Sequence, residues 1–338
     1  MSSCTIDAEG RSRGTPPERR AHRDTIFVED GRLLSQQAYP GGQFVIRIQA
    51  PQCAAAAVPG SFAHLTCDPE RPMRRPLSIM RVSSSEGWIE VLYKVVGPGL
   101  AALSKQPLGA TISVLGPIGH GFVAHPERPR TLLVGGGVGI PPMVFLAESL
   151  KSRRDEAAWQ PIVLMGSEIE FPFRARPSQI LVPGVPSEAI GCMPLLDDWG
   201  IASRLASFGG FPGCFHGYVT DLAAHWLASL DAQALGEVEM FACGPTPMLQ
   251  ATARVARRFG VPCQVSLEEF MACAVGGCAG CAVPVVQADG SLAMKRVCVD
   301  GPVFDANAVF PPVPCLRGEF CPAGRESQPL TAGALRVI

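Results

Sequence analysis

Four cysteines, Cys273, Cys278, Cys281 and Cys298, read C-x4-C-x2-C, with the fourth following after sixteen intervening residues. Thiolates at this spacing are the ligand set of a plant-type 2Fe–2S cluster, a centre that moves electrons one at a time. Three sulfur donors within nine residues force the backbone into tight turns. Gly276, Gly277 and Gly280 supply the freedom for positive φ and for amides aimed at sulfur. Zinc is the competing chemistry. Structural zinc usually takes its ligands as two C-x2-C pairs, and only Cys278 and Cys281 form one here. None of the six histidines (His22, His64, His120, His125, His216 and His225) is paired near the cysteines, which argues against a Rieske centre.

A second constellation could hold phosphate. Gly135, Gly136, Gly137 and Gly139 lead into Pro142 in the run G-G-G-V-G-I-P-P, between an apolar strand and a helix. Glycines let a ligand approach the backbone, proline suits the first helical turn, and free amides at the helix start attract a pyrophosphate. The order departs from the G-x-G-x-x-G fingerprint. Cys243, Gly244 and Pro245 make a second strand-to-helix turn. In an open α/β sheet both turns fall on the carboxyl edge of the strands, where ligands bind, and so bracket one crevice. Arg75, Pro76, Leu77 and Ser78 form a third group, in which a guanidinium able to grip phosphate through forked hydrogen bonds sits on a proline-stiffened strand.

These residues need three kinds of scaffold. From about 23 to 127 the chain alternates short β segments with turns: 43–49, 61–66, 76–80, 88–95 and 110–115. That pattern predicts an antiparallel barrel or sandwich. From 128 to 262 apolar strands at 131–134, 161–165 and 238–243, with a further one at 179–182, alternate with helices over 141–153 and 246–259. That pattern predicts a parallel α/β sheet. Residues 263–310 form a small cysteine-bearing domain. Residues 1–22 read as a disordered extension, and 311–338 as a tail bearing Pro and Gly.

The composition narrows the function. Charged residues make up only 17% of 338, against 47% hydrophobic, which suggests a surface partly covered by a partner. A net charge of −1 gives no electrostatic case for nucleic acid. No apolar run reaches the roughly 18 residues of a membrane span, and residues 1–23 lack a signal-peptide core. Thirteen cysteines without a secretion signal fit a reducing cytoplasm and metal binding rather than disulfides. Outside the quartet, Cys4, Cys53, Cys67, Cys192, Cys214, Cys243, Cys263, Cys315 and Cys321 read as ordinary buried thiols. The Cys315 and Cys321 spacing matches no common metal pattern.

Arg75 to Ser78, Leu92-Tyr93-Lys94, Gly97-Pro98-Gly99 with Leu100, Gly116 to Gly119, Gly135 to Pro142, Cys243 to Pro245 and the four cysteines follow one another as in the ferredoxin–NADP reductase superfamily. The chain resembles that superfamily over about residues 23–310. The C-terminal position of the cysteines, and the segments 197–200, 217–221, 267–273 and 296–304, are most similar to the electron-transfer subunits of two-subunit, NAD-linked dihydroorotate dehydrogenases. The resemblance implies FAD on the barrel, with Arg75 at its pyrophosphate and Ser78 near flavin N5. It implies NAD on the α/β domain and a 2Fe–2S cluster beyond. It further implies transfer to the FMN of a separate dihydroorotate dehydrogenase catalytic subunit, in a heterotetramer serving pyrimidine biosynthesis. Leu77 stands where many of these reductases carry an aromatic residue against the flavin.

Hydride carriers move electrons in pairs and iron–sulfur clusters move them singly, so a flavin is needed between them. No general acid or base is required, and the sequence nominates none. Ser167, Arg174 and Arg176 follow the second strand of the nucleotide domain, but Glu168 and Glu170 beside them would repel a 2′-phosphate, which favours NAD over NADP. Two alternatives are a reductase serving a hydrogenase, sulfur reductase or oxygenase, and, in a different class, a zinc-binding interaction module.

Overall fold

A computed structural model describes residues 25–68, 70, 73–153 and 155–312. The expected extension at 1–22, nearly all of the expected tail, and Cys4, Cys315 and Cys321 lie outside the described residues. The first unit is a closed antiparallel barrel, ordered β1-β2-β5-β4-β3-β6. Its strands are β1 (Phe27–Tyr39), β2 (Gln43–Gln49), β3 (Phe62–Leu65), β4 (Arg75–Ser83), β5 (Trp88–Lys94) and β6 (Thr111–Ile118). Short helices α1 (Pro51–Ala56) and α2 (Pro98–Leu103) connect them. Alternate residues face inward, so Ile46, Ile48, Ile79, Ile89 and Val91 fill the barrel without exposure. Strand β1 was not foreseen. Its polar run, Ser35-Gln36-Gln37, hides the alternation, and a register shift between Leu33 and Ser35 breaks the period.

The second unit is a six-stranded sheet, ordered β11-β8-β7-β12-β13-β16. Its parallel members are β7 (Arg130–Gly136), β8 (Ile162–Gly166), β11 (Ala202–Ala206), β12 (Val238–Cys243) and β13 (Cys263–Ser266), and β16 (Val303–Asp305) closes one edge antiparallel to β13. Strands buried on both faces read as continuous apolar runs, which explains Leu132-Leu-Val134 and Met240-Phe-Ala242. Helix α3 (Ile140–Ser152) follows β7, and α7 (Thr246–Phe259) follows β12 and ends on Gly260 in the left-handed region at φ 66°. The remaining elements of this unit are β9 (Arg176–Pro177), β10 (Gly191–Cys192), α4 (Pro194–Asp198), α5 (Val219–Ala228) and α6 (Ala232–Gly236).

One expected strand is wrong. Residues 179–182 form no strand, and the third parallel strand is β11. Leu181 is 88% exposed, while the Ile180 carbonyl accepts from the buried guanidinium of Arg204. Ser203 and Arg204 interrupt the apolar run of β11, and that concealed it. The sheet also takes in β13 and β16, which flank the cysteine-bearing segment and attach it to the α/β unit. Between them lie the hairpin of β14 (Ala282–Val286) and β15 (Leu292–Arg296) and helix α8 (Val297–Asp300), and α9 (Ala306–Val309) follows β16.

Helix α3 fastens the two units together. Phe145 enters the barrel core, and Arg81 Nη2 on β4 donates to Glu148 Oε1 at 2.7 Å, with Arg81 Nε 3.2 Å from both carboxylate oxygens. His120, expected in the connection between domains, donates its backbone N–H to the Gly301 carbonyl at 2.6 Å and bridges to Pro302, so the connection is stitched to the cysteine segment.

Candidate functional site

The two glycine turns meet. Gly135 on β7 is in register with Cys243 on β12, so both strands end side by side. A Cβ on Gly139 would lie 2.2 Å from the Cys243 carbonyl oxygen and 2.5 Å from Gly244 N. A Cβ on Gly136 would lie 2.4 Å from Met248 Sδ and 3.4 Å from Pro245. At Gly139 the crowding atoms are backbone, so only hydrogen fits there, whereas at Gly136 the Met248 side chain would have to move. Gly137 takes φ 54° with open space around it, and α3 begins at Ile140 with Pro141 and Pro142 in its first turn. Turn and helix start thus leave backbone amides on an uncrowded carboxyl edge, the setting that suits a pyrophosphate. Burial pushes the Cys243 thiol up to about 12, which keeps it protonated.

Beside this edge, Arg176 is engaged with Asp197 and Asp198, so this cation is already matched by carboxylates. Arg174 is exposed, and Ser167 Oγ accepts from Ile169 N.

The Arg75 to Ser78 group opens strand β4. The pairs Ser78 with Phe62 and Pro76 with His64 stand on the outer face of the barrel, because Leu77 and Ile79 pack inward. Leu77 is therefore a barrel-core residue. Arg75 Nη1 donates to the carbonyls of Met73 and Arg74, and its Nε and Nη2 lie against Gly99, where a Cβ would sit 3.2 Å away. The guanidinium thereby faces the first turn of α2, where Gly99 and Leu100 are buried. Tyr93, paired across the strands with Phe44 and stacked on it at 5.5 Å between ring centroids, has a buried hydroxyl with no hydrogen-bond partner among the described residues. Burial raises its pKa, so the hydroxyl keeps its proton as a donor. An anionic ligand laid on the Arg75 guanidinium at the first turn of α2 would meet a charged, forked donor, so the residues present fit the pyrophosphate of a flavin dinucleotide. Leu92 packs outward with Met80 against Ile140 and Met143 of α3, and Lys94 is half-buried at the strand end.

The cysteines come together as two pairs. Cys278 N–H donates to Cys273 Sγ at 3.4 Å, and the sulfurs of Cys281 and Cys298 lie 3.4 Å apart. Among the described residues no three His, Cys, Asp or Glu side chains close on a single-ion site. Two thiolate pairs suit two irons, each taking two sulfur ligands from the chain. The loop is shaped for this. Ala274 (φ 55°) and Ala279 (φ 54°) are the non-glycine residues in the left-handed region among the described residues, and Gly276 joins them at φ 80°. Such backbone costs about 1–2 kcal/mol per residue and persists where the surroundings demand it. Amides of Val275, Cys278 and Gly277 directed at Cys273 lower its pKa to about 7, whereas burial and the neighbouring Cys281 raise Cys298 to about 12. Arg296 Nη1 donates to the Gly276 carbonyl at 2.9 Å and braces the turn. Cys278 is exposed, Cys273 half-buried, and Cys281 and Cys298 buried.

The barrel lies between the other two sites. On one side, Met80 and Leu92 of the barrel's outer face touch Ile140, the first residue after the glycine turn. On the other, Phe62, Leu115 and Ile118 share one apolar core with Met271, Ala274, Cys281 and Cys298. Sequence reading singled out the phosphate-type turns, the arginine strand and the cysteines, and the fold sets the barrel that carries the arginine strand against both the α/β unit and the cysteine segment. It missed His64, a lone buried histidine whose sequence context carries no signal.

Residues 268–310 match the family model described as the iron-sulfur cluster binding domain of dihydroorotate dehydrogenase B. The chain is 33% identical over 296 residues to the "Dihydroorotate dehydrogenase B (NAD(+)), electron transfer subunit" of Geobacillus thermodenitrificans (strain NG80-2), covering 85% of this chain and 98% of that protein. It is 34% identical over 253 residues to the protein of the same description from Caldanaerobacter subterraneus subsp. tengcongensis, covering 75% and 87%. Among solved structures, a chain from the NADH-dependent reduced ferredoxin–NADP oxidoreductase, studied for flavin-based electron bifurcation, superposes with a TM-score of 0.64 at 27% identity over 83% of this chain and 90% of that one. The ferredoxin reductase of carbazole 1,9a-dioxygenase shares the fold at a TM-score of 0.53 and 20% identity, covering 70% and 67%.

Proposed function

Because this chain belongs to the family of electron transfer subunits of NAD-linked dihydroorotate dehydrogenase B, we propose that it carries electrons between NAD(H) and an FMN-bearing catalytic subunit by way of FAD and a 2Fe–2S cluster. The observation that carries this reading is the placement of the barrel between the Ile140 turn, which it meets through Met80 and Leu92, and the cysteine segment, which it meets through Phe62, Leu115 and Ile118. When bound, FAD interconverts the two-electron chemistry of NAD(H) and the one-electron chemistry of the cluster. The chain's own residues bind and orient. Gly135, Gly136, Gly137 and Gly139, with Cys243, Gly244 and Pro245, leave room and backbone amides for the dinucleotide's pyrophosphate. Pro142 fixes the helix start behind them. Arg75, with Gly99 and Leu100 at the start of α2, holds the flavin's pyrophosphate. Ser78 stands on the outer face where the flavin ring meets the nicotinamide. Cys273, Cys278, Cys281 and Cys298 hold the cluster at a loop whose Phe270 is 94% and Val275 51% exposed. An exposed apolar rim beside a metal centre suits a redox partner that must approach closely.

NAD is the favoured nicotinamide cofactor, since Arg176 is already paired with two aspartates. No helix among the described residues is long and apolar enough to cross a membrane. The six described cysteines outside the quartet are unbridged, in keeping with the reducing cytoplasmic setting proposed for the chain. The likeness to the NADH-dependent reduced ferredoxin–NADP oxidoreductase supports a second reading, in which the same electron path serves a different acceptor. Co-expression with the catalytic subunit, purification of the complex and assay of NAD reduction by dihydroorotate decides between them. Turnover and a heterotetramer are expected. A flavin- and iron-loaded complex that leaves dihydroorotate unoxidised would transfer the assignment to the second reading.

A further inference from the structure

Strand β4 breaks its own alternation where it meets the α/β unit. Leu77 and Ile79 face the barrel core, and Val82 packs against the same core. Between them a register shift sets Ile79 opposite Val91 and Arg81 opposite Glu90, two steps on β4 against one on β5. A bulge of this kind re-aims a side chain. Met80 and Arg81 therefore both leave the barrel's outer face. Met80 joins the apolar cluster of Ile140 and Met143 on α3. Arg81 takes Glu148 on the same helix in a fork, Nη2 at 2.7 Å from Oε1 and Nε at 3.2 Å from both oxygens. Its guanidinium carbon lies 4.9 Å from the ring centre of Trp199, which follows α4, and 5.9 Å from that of Trp88 on β5. Arg47 Nη2 holds Glu90 at 2.9 Å, which leaves Glu148 as the direct partner of Arg81. A planar guanidinium that is forked to a carboxylate and laid on an indole has a fixed orientation, unlike a lone surface charge.

This contact has a place in the geometry of the two sites. Ile140, Val144 and Glu148 recur every four residues, so they share one face of α3. Ile140 follows the glycine turn, and Glu148 lies about 12 Å further along the helix axis. Ser78 lies roughly 10 Å before Arg81 on β4. Strand and helix thus run side by side over matched spans. The ion pair closes one end, and Ser78 and the glycine turn stand at the other.

We propose that Arg81 is a positioning residue for electron transfer from the nicotinamide to the flavin: held by Glu148 and Trp199, it sets the register of α3 along β4 and so the offset between the nucleotide turn and Ser78. This rests on the reading of those two places as the nicotinamide and flavin sites. The step it serves moves two electrons and one proton together from NADH, which becomes NAD+, onto the flavin. A misplacement of about 1 Å costs such a step on the order of a hundredfold.

The test mixes anaerobic full chain, loaded with FAD and cluster, with NADH and follows flavin absorbance in a single turnover. Wild type is compared with Arg81→Gln, Arg81→Lys, Glu148→Gln and the double variant Arg81→Gln with Glu148→Gln. Each Gln single variant should slow flavin reduction at saturating NADH roughly tenfold to a hundredfold, and the double variant should be no slower than the slower single one, since both remove one contact. Arg81→Lys, which keeps the charge and loses the fork, should recover only part of the rate. FAD content, iron content and reduction by dithionite, which needs no docked nucleotide, should match wild type. A wild-type saturating rate in the single variants would overturn the proposal, whatever their melting temperatures, because a merely structural pair lowers stability alone. Losses that multiply in the double variant would also overturn it. Should Arg81→Gln fail to fold, Glu148→Gln, which keeps the side chain's shape, decides by the same saturating rate. A wild-type flavin that NADH leaves oxidised would instead refute the function on which the proposal rests.

Discussion

The sulfurs of Cys281 and Cys298 lie 3.4 Å apart and buried, although 17 positions separate them in the chain. That contact exists because α8 folds back under the loop, where the Val297 N–H donates to the Cys281 carbonyl at 3.1 Å. Removing one member of the pair leaves one iron with a single thiolate from the chain. Cys281→Ser should therefore lose its iron and the paramagnetic signal seen on reduction, while FAD stays bound on the barrel. Iron and sulfide analysis beside flavin content checks this.

Gly139→Ala places a methyl group 2.2 Å from the Cys243 carbonyl and must push the two turns apart. A cost of about 1–3 kcal/mol in stability is expected from overpacking, together with a raised KM for NADH. Gly137→Ala, with nothing within 4 Å of its Cβ, should pay only the left-handed backbone cost of about 1–2 kcal/mol. Thermal unfolding and steady-state kinetics of the two variants, side by side, separate crowding from backbone strain.

Arg75→Ala removes a guanidinium that lies against Gly99 at the start of α2. Loss of charge-assisted hydrogen bonds of about 1.5–3 kcal/mol should weaken FAD binding roughly tenfold to a hundredfold. Iron content should be unchanged, because the cysteines lie on another unit. Flavin fluorescence titration measures the first effect and iron analysis the second.

His64 gives stability a pH dependence. Its pKa falls from the ordinary 6.5 in the unfolded chain to about 4 in the fold. Between those values the unfolded chain binds the extra proton, so stability is complete above about 6.5, declines as pH falls, and levels off below about 4. The slope is about 1.4 kcal/mol per pH unit. Urea unfolding across this window should show it in the wild type, and His64→Gln should flatten it.

Much of this was legible in the sequence because it is local. The cysteine spacing, the glycine turns at the ends of β7 and β12, and the apolar runs of those strands each lie within a few residues. What escaped is decided by partners distant in the chain. Strand β11 carries Ser203 and Arg204; Ser203 Oγ accepts from the Met193 N–H, and Arg204 donates to the Ser203 carbonyl and to the Ile180 carbonyl of a loop that the sequence does not announce. Strand β1 reads as polar because only its partners β2 and β6 define its inner face. The burial of Leu77, where an aromatic residue was the family expectation, follows from the β3–β4 register rather than from residue type. His64 acquires meaning only when Met271, more than two hundred positions away, is folded over it.

Anaerobic titration of the purified full chain with NADH, followed by flavin absorbance and by electron paramagnetic resonance, tests the central claim most directly. The protein should be coloured by both flavin and cluster, and NADH should bleach the flavin and bring up the signal of a reduced 2Fe–2S centre. A colourless preparation, or a flavin that NADH reduces while the cluster stays oxidised, would contradict an electron path from the nucleotide turn through the barrel's flavin to the four cysteines.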